Sequence, residues 1–490
     1  MSIAQRTITG LLWMALDQWG SKAASFLTFL ILARLLSPEA FGLVALATVF
    51  VAFAHVIADQ GFTDAIVQRD ALNDLHVHSA FWVNVTLALG LIGVTWLTAP
   101  WIAVLFNEPE LEDVLQGMSL IFGIRALTGV QEALFRRDVE FKALSVGGFI
   151  GVCGGAGVGI GMAVAGYGVW SLVVQQIVHQ IIYAIILWWM SPWTPQFLFS
   201  FLHAKDLFSF GLGVLGANIL NFFNRRMDDL LIGGFLGSTA LGYYNVAYRI
   251  LLALTQMISS VGSRVMFPVF SQLQHNLDRL RQSYYAAIKY TVMLSAPIYV
   301  GLAVLAPYII PTAFGAKWEA SVPIMQVLSF VGILHSVLYF NSPVILSQGR
   351  SLLNMSLTML RAIVNFTAFL IAVQWGIFAV AVTYTAMGYL LAPVEVGVVH
   401  RLIQINWKRY IDAVLPPIVA SGIAAGAVLT LSYGISKHIS VIAMLAAGAC
   451  LGAIVFSGVL LLVRPGLIDE LRHLKITALS KPTHEVEETA

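Results

Sequence analysis

Charge is scarce in this chain. Only 11% of its 490 residues are Asp, Glu, Lys or Arg, where a soluble domain carries roughly 25%. Hydrophobic residues make up 59%, and mean hydropathy is +0.84. A soluble globular class is therefore excluded. The chain reads as an all-α polytopic membrane protein, for which length says little about domain number. The net charge of +2 is too small to point to nucleic acid as a partner. Cysteine is nearly absent: Cys153 and Cys450 both lie in apolar runs, which argues against a disulfide framework or a thiolate metal site. Both are expected to be small buried apolar side chains. Also missing are a Walker loop, HExxH, GxSxG and an acidic sugar-nucleotide motif in a loop. No catalytic residue, cofactor or metal is expected. Loops this short leave little room for an ATPase or transferase domain, so energy would come from an ion gradient, the membrane potential or the substrate's own gradient.

What is present is a series of long apolar runs. A bilayer core takes about 20 mainly apolar residues per helix. By that measure the chain predicts fourteen spans, over 8–33, 39–60, 78–106, 112–135, 141–165, 168–190, 206–233, 239–270, 282–313, 319–345, 352–374, 376–401, 410–433 and 438–463. Residues 1–36 lack a cleavage site after a short apolar core and are interrupted by Asp17 and Lys22, so they read as the first span rather than a signal peptide. Pro297 and Pro307 in the ninth span, and Pro323 and Pro343 in the tenth, predict kinks. Of the 27 Lys and Arg, sixteen fall in the segments that are cytoplasmic if the N-terminus is inside. Three (Arg34, Lys317, Lys437) fall in outer loops. This asymmetry places both ends in the cytoplasm. The tail 464–490 reads as a short amphipathic piece followed by a disordered end.

The remaining eight cations lie inside predicted spans. Arg264 and Lys289 sit near inner ends, where they can snorkel. Lys22, Arg125, Arg225, Arg226, Arg249 and Arg361 are deeper. Each such charge costs about 2.5–3.5 kcal/mol on insertion scales, so it is paired or used. Helical spacing gathers polar residues into stripes: Asn218, Asn221, Arg225 and Asp228 or Asp229 on the seventh span; Asn245, Arg249, Gln256, Ser260 and Ser263 on the eighth; Asn354, Thr358, Arg361 and Asn365 on the eleventh. The first span adds Asp17 beside Lys22, and the fourth adds Arg125, Thr128 and Glu132. Such stripes require an interior away from lipid. Within the Asp-Arg run, Arg225 can pair with Asp228 or Asp229 and Arg226 with Asp229. The choice between self-neutralisation and cavity lining stays open there, whereas Arg249 and Arg361 have no acid nearby in their own helices. Five of the six deep cations are arginines, which suit forked recognition of a pyrophosphate or an acidic sugar. His55 and Asp59, one turn apart at the outer end of the second span, are either an ion-coupling pair or an interfacial histidine with an unrelated neighbour. Gly147, Gly151, Gly155 and Gly159 predict close helix packing or a bendable gate. Leu36-Ser-Pro-Glu-Ala-Phe-Gly42 aligns with Leu236-Gly-Ser-Thr-Ala-Leu-Gly242 at an offset of 200, a faint internal repeat of the transporter kind.

Three segments carry a family resemblance: Gln131-Glu-Ala-Leu-Phe-Arg-Arg-Asp-Val-Glu-Phe-Lys142, Gly168-Val-Trp-Ser-Leu-Val-Val-Gln-Gln176 and Leu236-Gly-Ser-Thr-Ala-Leu-Gly-Tyr-Tyr-Asn-Val-Ala-Tyr-Arg249. Over about residues 1–460 the chain resembles the polysaccharide transporter family, which includes O-antigen, colanic-acid and teichuronic-acid exporters. That family belongs to the multidrug/oligosaccharidyl-lipid/polysaccharide exporter superfamily. The resemblance implies a V-shaped pair of six-helix lobes (1–190 and 206–401) related by pseudo-two-fold symmetry, two additional helices (410–463), and the cytoplasmic tail (464–490). It also implies flipping of an undecaprenyl-pyrophosphate-linked oligosaccharide across a bacterial inner membrane, by alternating access to a central cationic cavity. The expected partners are that lipid-linked substrate, membrane lipids, a coupling proton or sodium ion, and the polysaccharide polymerase machinery.

Two other classes compete. A drug/cation antiporter of the same superfamily would have twelve spans and an acid-rich cavity. A membrane-embedded glycosyltransferase or polymerase would show a large outer loop with catalytic residues. Fourteen spans, a basic interior and short outer loops favour the flippase. A purely structural scaffold would not need six deep cations.

Overall fold

The structure is a computed structural model. It describes residues 3–59, 66–67, 72–435 and 440–466; within these, the side chains of 3–18, 58–59, 204–217, 220–221, 224–225, 259–265 and 435 are not described. The expected amphipathic piece and tail beyond Gly466 lie outside the described residues. No β-strand occurs among the described residues. This fits a lipid setting, where a segment must satisfy its own backbone hydrogen bonds.

In chain order the helices are α1 (Ile3–Leu35), α2 (Pro38–Asp59), α3 (Asp74–Leu105), α4 (Glu110–Arg137), α5 (Phe141–Val164) and α6 (Trp170–Met190). Helices α7 and α8 share the continuous stretch Phe201–Gln272 and meet at Gly237. Then come α9 (Leu277–Phe314), α10 (Ser321–Leu338), α11 (Asn341–Ser347), α12 (Ser351–Ala372), α13 (Ile377–Ile403), α14 (Trp407–Ile435) and α15 (Val441–Val463). With α10 and α11 forming one interrupted span, each of the fourteen predicted spans has its helix. Among the described residues eleven helices are long and apolar enough to cross a membrane. Pro323 and Pro343 each occupy the third residue of a helix, α10 and α11. The first turn tolerates the missing N–H, so the tenth span breaks before Pro343 rather than kinking at it. Helix α9 runs on through Pro297, Pro307 and Pro311.

The chain forms two packed units. The first comprises Met1–Ile250, Ala313–Ile324 and Met355–Met387; the second comprises Leu251–Thr312, Met325–Asn354 and Gly388–Ala490. Packing of this kind does not measure pseudo-symmetry, on which the six-plus-six lobe division rests.

In the first unit α4 packs against α2, α3, α5 and α6, while α1 lies along α5. The central position of α4 follows from its content. It carries Arg125 and Glu132, which lipid cannot accept, so it is surrounded by helices. Along α5, a Cβ on Gly155 would lie 2.6 Å from the Gln175 carbonyl, and one on Gly151 2.9 Å from that of His179. The glycine stripe therefore brings α5 directly against the α6 backbone; it is a packing face.

The offset-200 repeat appears as a reciprocal contact. A Cβ on Gly42 would stand 1.7 Å from the Ser238 carbonyl oxygen, and one on Gly242 would stand 2.0 Å from that of Pro38. Residues 38 and 42 thus meet 238 and 242 in a self-complementary way. Each helix start is capped differently. Ser37 Oγ accepts the Ala40 N–H at 3.3 Å, with Pro38 at the first helical position. In α8, Glu108 Oε1 accepts the Ser238 N–H at 2.7 Å. Gly237 there has φ +81°, in the left-handed region that glycine enters freely. The turn before α10 closes on the same region: Trp318, fully buried, donates Nε1–H to the Ala33 carbonyl at 2.7 Å, and Lys317 donates to that of Arg34 at 2.9 Å.

The second unit is built on buried tyrosines. Tyr284 donates to Asn341 Oδ1 at 2.6 Å, Tyr299 and Thr255 share a hydrogen bond of 2.7 Å, and α14 packs on α15. Cys153 and Cys450 are both exposed free thiols, against the expectation of burial. Each lies on an outward face of its span, where an apolar surround needs no protein neighbour.

The reciprocal contact makes a stability test. Gly242→Ala should destabilise by about 3 kcal/mol or more, because a backbone carbonyl cannot step aside as a side chain can. Gly161→Ala, with nothing within 4 Å of the added methyl, should change stability by less than about 1 kcal/mol and in the favourable direction. Thermal unfolding of the purified variants in detergent reads both.

Candidate functional site

The deep charges occupy two places within the first unit. One lies on α7, α8, α12 and α13. Asp228 and Asp229 are buried there. Arg226 Nη1 donates to Asp229 Oδ2 at 3.1 Å, and Asn245 Nδ2 to Asp229 Oδ1 at 3.3 Å. Asp228 Oδ2 accepts the Tyr244 hydroxyl at 3.1 Å. The tyrosine stacks with Tyr248 at 5.9 Å, and Tyr248 meets Tyr384 of α13. Two buried carboxylates are thus held by one guanidinium, one amide and one phenol. Self-neutralisation dominates this run, as the i, i+3 spacing of Arg226 and Asp229 allowed.

Arg249 behaves differently. It stands one turn beyond Asn245, is exposed, and lays its guanidinium carbon 4.5 Å above the Phe29 ring. That cation–π contact orients the group and leaves its donor edges available. Among the described residues the ion pairs are Arg136–Glu132, Arg226–Asp229 and Arg281–Asp278; none involves Arg249. Arg361 and Asn365 lie half-buried one turn apart on α12. Asn365 Oδ1 is buried without a hydrogen-bond partner among the described residues.

The second place is an open cavity of about 350 Å³ lined by residues of α2 to α6. Arg125, Thr128, Glu132 and Arg136 of α4 line it, with His55 of α2, Asn84 of α3, and His179, Gln180 and Tyr183 of α6. Glu132 pairs with Arg136 one turn on, not with Arg125. The cavity therefore keeps one guanidinium outside any ion pair, ringed by amides and imidazoles. His55 is at the opposite end of α2 from that expected: the chain enters α2 at Pro38, and His55 lies one turn before its end at Asp59. In the predicted orientation that end is cytoplasmic.

A family described as "Polysaccharide biosynthesis protein" matches residues 31–323. The chain belongs to that family. Among relatives of this polysaccharide biosynthesis protein, it is 28% identical over 462 residues to the succinoglycan biosynthesis transport protein ExoT of Rhizobium meliloti, covering 94% of this chain and 93% of that one. It is 27% identical over 443 residues to the teichuronic acid biosynthesis protein TuaB of Bacillus subtilis, covering 86% and 89%. Its fold is similar to that of the lipid II flippase MurJ in an inward closed conformation. That match has a TM-score of 0.76 at 15% identity and covers 94% of this chain and all of that one.

Within this family member, the remaining predicted site residues fall as follows. Lys22 of α1 and Asn218 of α7 are exposed. Gln256, also exposed, and Asn354, half-buried, belong to the second unit. The side chains of Asp17, Asp59, Asn221 and Arg225 lie outside the described residues. Tyr244, Tyr384, Asn84, His179 and Gln180 were not singled out from the sequence. None of them forms a stripe at helical spacing, and packing brings Asn84, His179 and Gln180 to the cavity and Tyr244 to Asp228.

The Arg226–Asp229 pair tests the neutralised half of the site. Arg226→Ala leaves a buried carboxylate without its cation and should cost about 3 kcal/mol. Arg226→Ala combined with Asp229→Asn should recover most of that loss. Unfolding midpoints of the two single variants and the double variant give the coupling directly.

Proposed function

We propose that this protein flips an oligosaccharide carried on undecaprenyl pyrophosphate from the inner to the outer leaflet of a bacterial inner membrane, for surface polysaccharide biosynthesis. The observation that carries this reading is Arg249, a deep, solvent-accessible guanidinium held over Phe29 while the neighbouring acids are bound by other groups. An arginine placed this deep in a span without a carboxylate is costly unless it receives an anion. A pyrophosphate is the anion that forked donors recognise. The family and the named biosynthetic roles of its relatives support the same substrate class. The fold shared with MurJ supplies a scaffold on which lipid-linked cargo is handled.

Transport then proceeds by alternating access between two six-helix lobes, 1–190 and 206–401, with 410–463 as additional helices. Both termini are cytoplasmic. In that orientation the Gly42–Ser238 and Gly242–Pro38 contacts, the Glu108 cap and the Trp318 bond all lie at the outer ends of the helices. In the same orientation Arg249 receives its ligand from the cytoplasmic side. Arg361 and Lys22 of the first unit extend the cationic wall, and Asn218 and Asn365 of that unit supply its polar lining. The carrier makes and breaks no covalent bond. His55 with Asp59 is the candidate pair for coupling to a proton or sodium ion, and the polysaccharide polymerase machinery is the natural recipient of the flipped lipid.

Arg249→Ala and Arg361→Ala should each abolish flipping while protein levels in the membrane stay normal. Arg249→Lys should retain only part of the rate, since a point charge replaces a fork. Proteoliposomes loaded with a defined undecaprenyl-pyrophosphate oligosaccharide provide the measurement. Wild-type rates in the alanine variants would remove these residues from the site.

A further inference from the structure

The cavity between α2 and α6 is distinct from the Arg249 region in its lining and its charge. All its walls come from the first six helices. Its charges are Arg125, Arg136 and Glu132, and Arg136 is taken by Glu132. One positive charge remains, on Arg125, which is exposed and makes no ion pair among the described residues. A pyrophosphate, with at least two negative charges, is poorly matched by a single guanidinium. A carboxylate, with one charge and two parallel acceptor oxygens, matches it fully.

The rest of the lining is of the kind that binds hydroxyl groups. Asn84 Oδ1 is buried without a hydrogen-bond partner among the described residues, an arrangement that costs about 1–3 kcal/mol unless a donor arrives. Gln180 adds an amide that can both donate and accept. Tyr183 offers a flat ring, fixed where it packs against Gly147 at 3.0 Å from an added Cβ. The volume of about 350 Å³ falls in the range of small-ligand pockets, about 300–1,000 Å³.

We infer that this cavity is a separate subsite for a carboxylate-bearing sugar of the translocated glycan, with Arg125 binding the carboxylate and Asn84 and Gln180 the ring hydroxyls. The inference rests on the flippase reading and divides its labour: the lipid pyrophosphate is held at Arg249, and the acidic sugar is read at Arg125. Arg125 is then a specificity-determining residue.

Two measurements test it. First, the purified full-length protein in detergent is titrated with methyl glucuronide, methyl glucoside and inorganic pyrophosphate, with saturation-transfer NMR as the readout. Methyl glucuronide should bind about tenfold more tightly than methyl glucoside, as one charge-assisted bidentate contact allows, and pyrophosphate should not displace it. Arg125→Gln should abolish the preference. Asn84→Asp, which places a carboxylate beside Arg125 without removing it, should do the same. Equal binding of the two glycosides, displacement by pyrophosphate, or no glycoside binding would each overturn the inference. Second, flipping is compared in proteoliposomes for two lipid-linked oligosaccharides that differ only in one carboxylate. Arg125→Gln should slow the acidic substrate about tenfold and leave the neutral one unchanged. If the wild type flips both and Arg125→Gln treats them as the wild type does, the subsite fails and the flippase reading stands. If the wild type flips neither, the flippase reading fails, and with it the assignment of the sugar to a transported glycan.

Discussion

At Gly42 and Gly242 backbone meets backbone, and the arrangement of α1, α2, α7 and α8 depends on that approach. A methyl group at either position would overlap a carbonyl oxygen, so no other residue fits while the helices keep their places. Without the hydrophobic effect to drive helices together in lipid, close van der Waals contact between small residues becomes the main source of association. The contact is reciprocal because the sequence repeats: 38 stands to 242 as 238 stands to 42. A two-fold contact of this kind matches one surface to itself and needs only one solution of shape. The surrounding bonds, Glu108 to the start of α8 and Trp318 to the end of α1, come from equivalent turns, after α3 and after α9, and each reaches across to the other repeat.

Charge is placed by the same constraint. Nothing in the bilayer core solvates an ion, so each charged group in a span sits where protein or water can take it. Asp229 is tied to Arg226, and Asp228 to a tyrosine hydroxyl. The Asp228–Tyr244 and Asp229–Asn245 bonds hold α7 to α8, and together these contacts account for polar residues that would otherwise look like ligand contacts. Arg249 and Arg125 make no ion pairs among the described residues, in two different places. Pairing, rather than depth, separates Arg226 from the two arginines proposed to bind ligand.

Much of this was legible in the residues. Each of the fourteen apolar runs became a helix, eleven of them among the described residues long and apolar enough to cross a membrane, and Leu36–Gly42 matched against Leu236–Gly242 pointed to the reciprocal contact, because close backbone approach demands glycine at both places. The i, i+3 spacing of the Asp-Arg run offered neutralisation without deciding it against cavity lining; the Arg226–Asp229 pair came from the structure. The cavity was not legible. His55, Asn84, Arg125 and Gln180 come from α2, α3, α4 and α6, one or a few from each. A site assembled from single residues on neighbouring helices has no period along the chain, since its information lies in the packing. Tyr244 and Tyr384 were hidden for another reason. A tyrosine in an apolar run reads as aromatic packing, and its hydroxyl gains meaning only once a carboxylate is seen beside it. Cys153 and Cys450 show the converse: in a membrane protein an apolar environment does not require burial in protein, so exposure cannot be read from an apolar run.

A carrier must release what it binds, and this limits how many unpaired cations one place can hold. Were all six deep cations free around one pyrophosphate, the complex would be too stable to let go on the far side. A ligand that binds one state far more strongly than the other also traps the protein in that state. Neutralising Arg226 internally and setting Arg125 apart in its own cavity lowers the charge around Arg249. On the proposed assignment, affinity is divided among weaker contacts along an extended ligand, a headgroup at one place and a sugar at another. Each contact alone is modest, so they can be broken one after another as the helices move. The scarcity of charge with which the sequence opens thus has two origins: lipid excludes it from the outer faces of the spans, and turnover restricts it within.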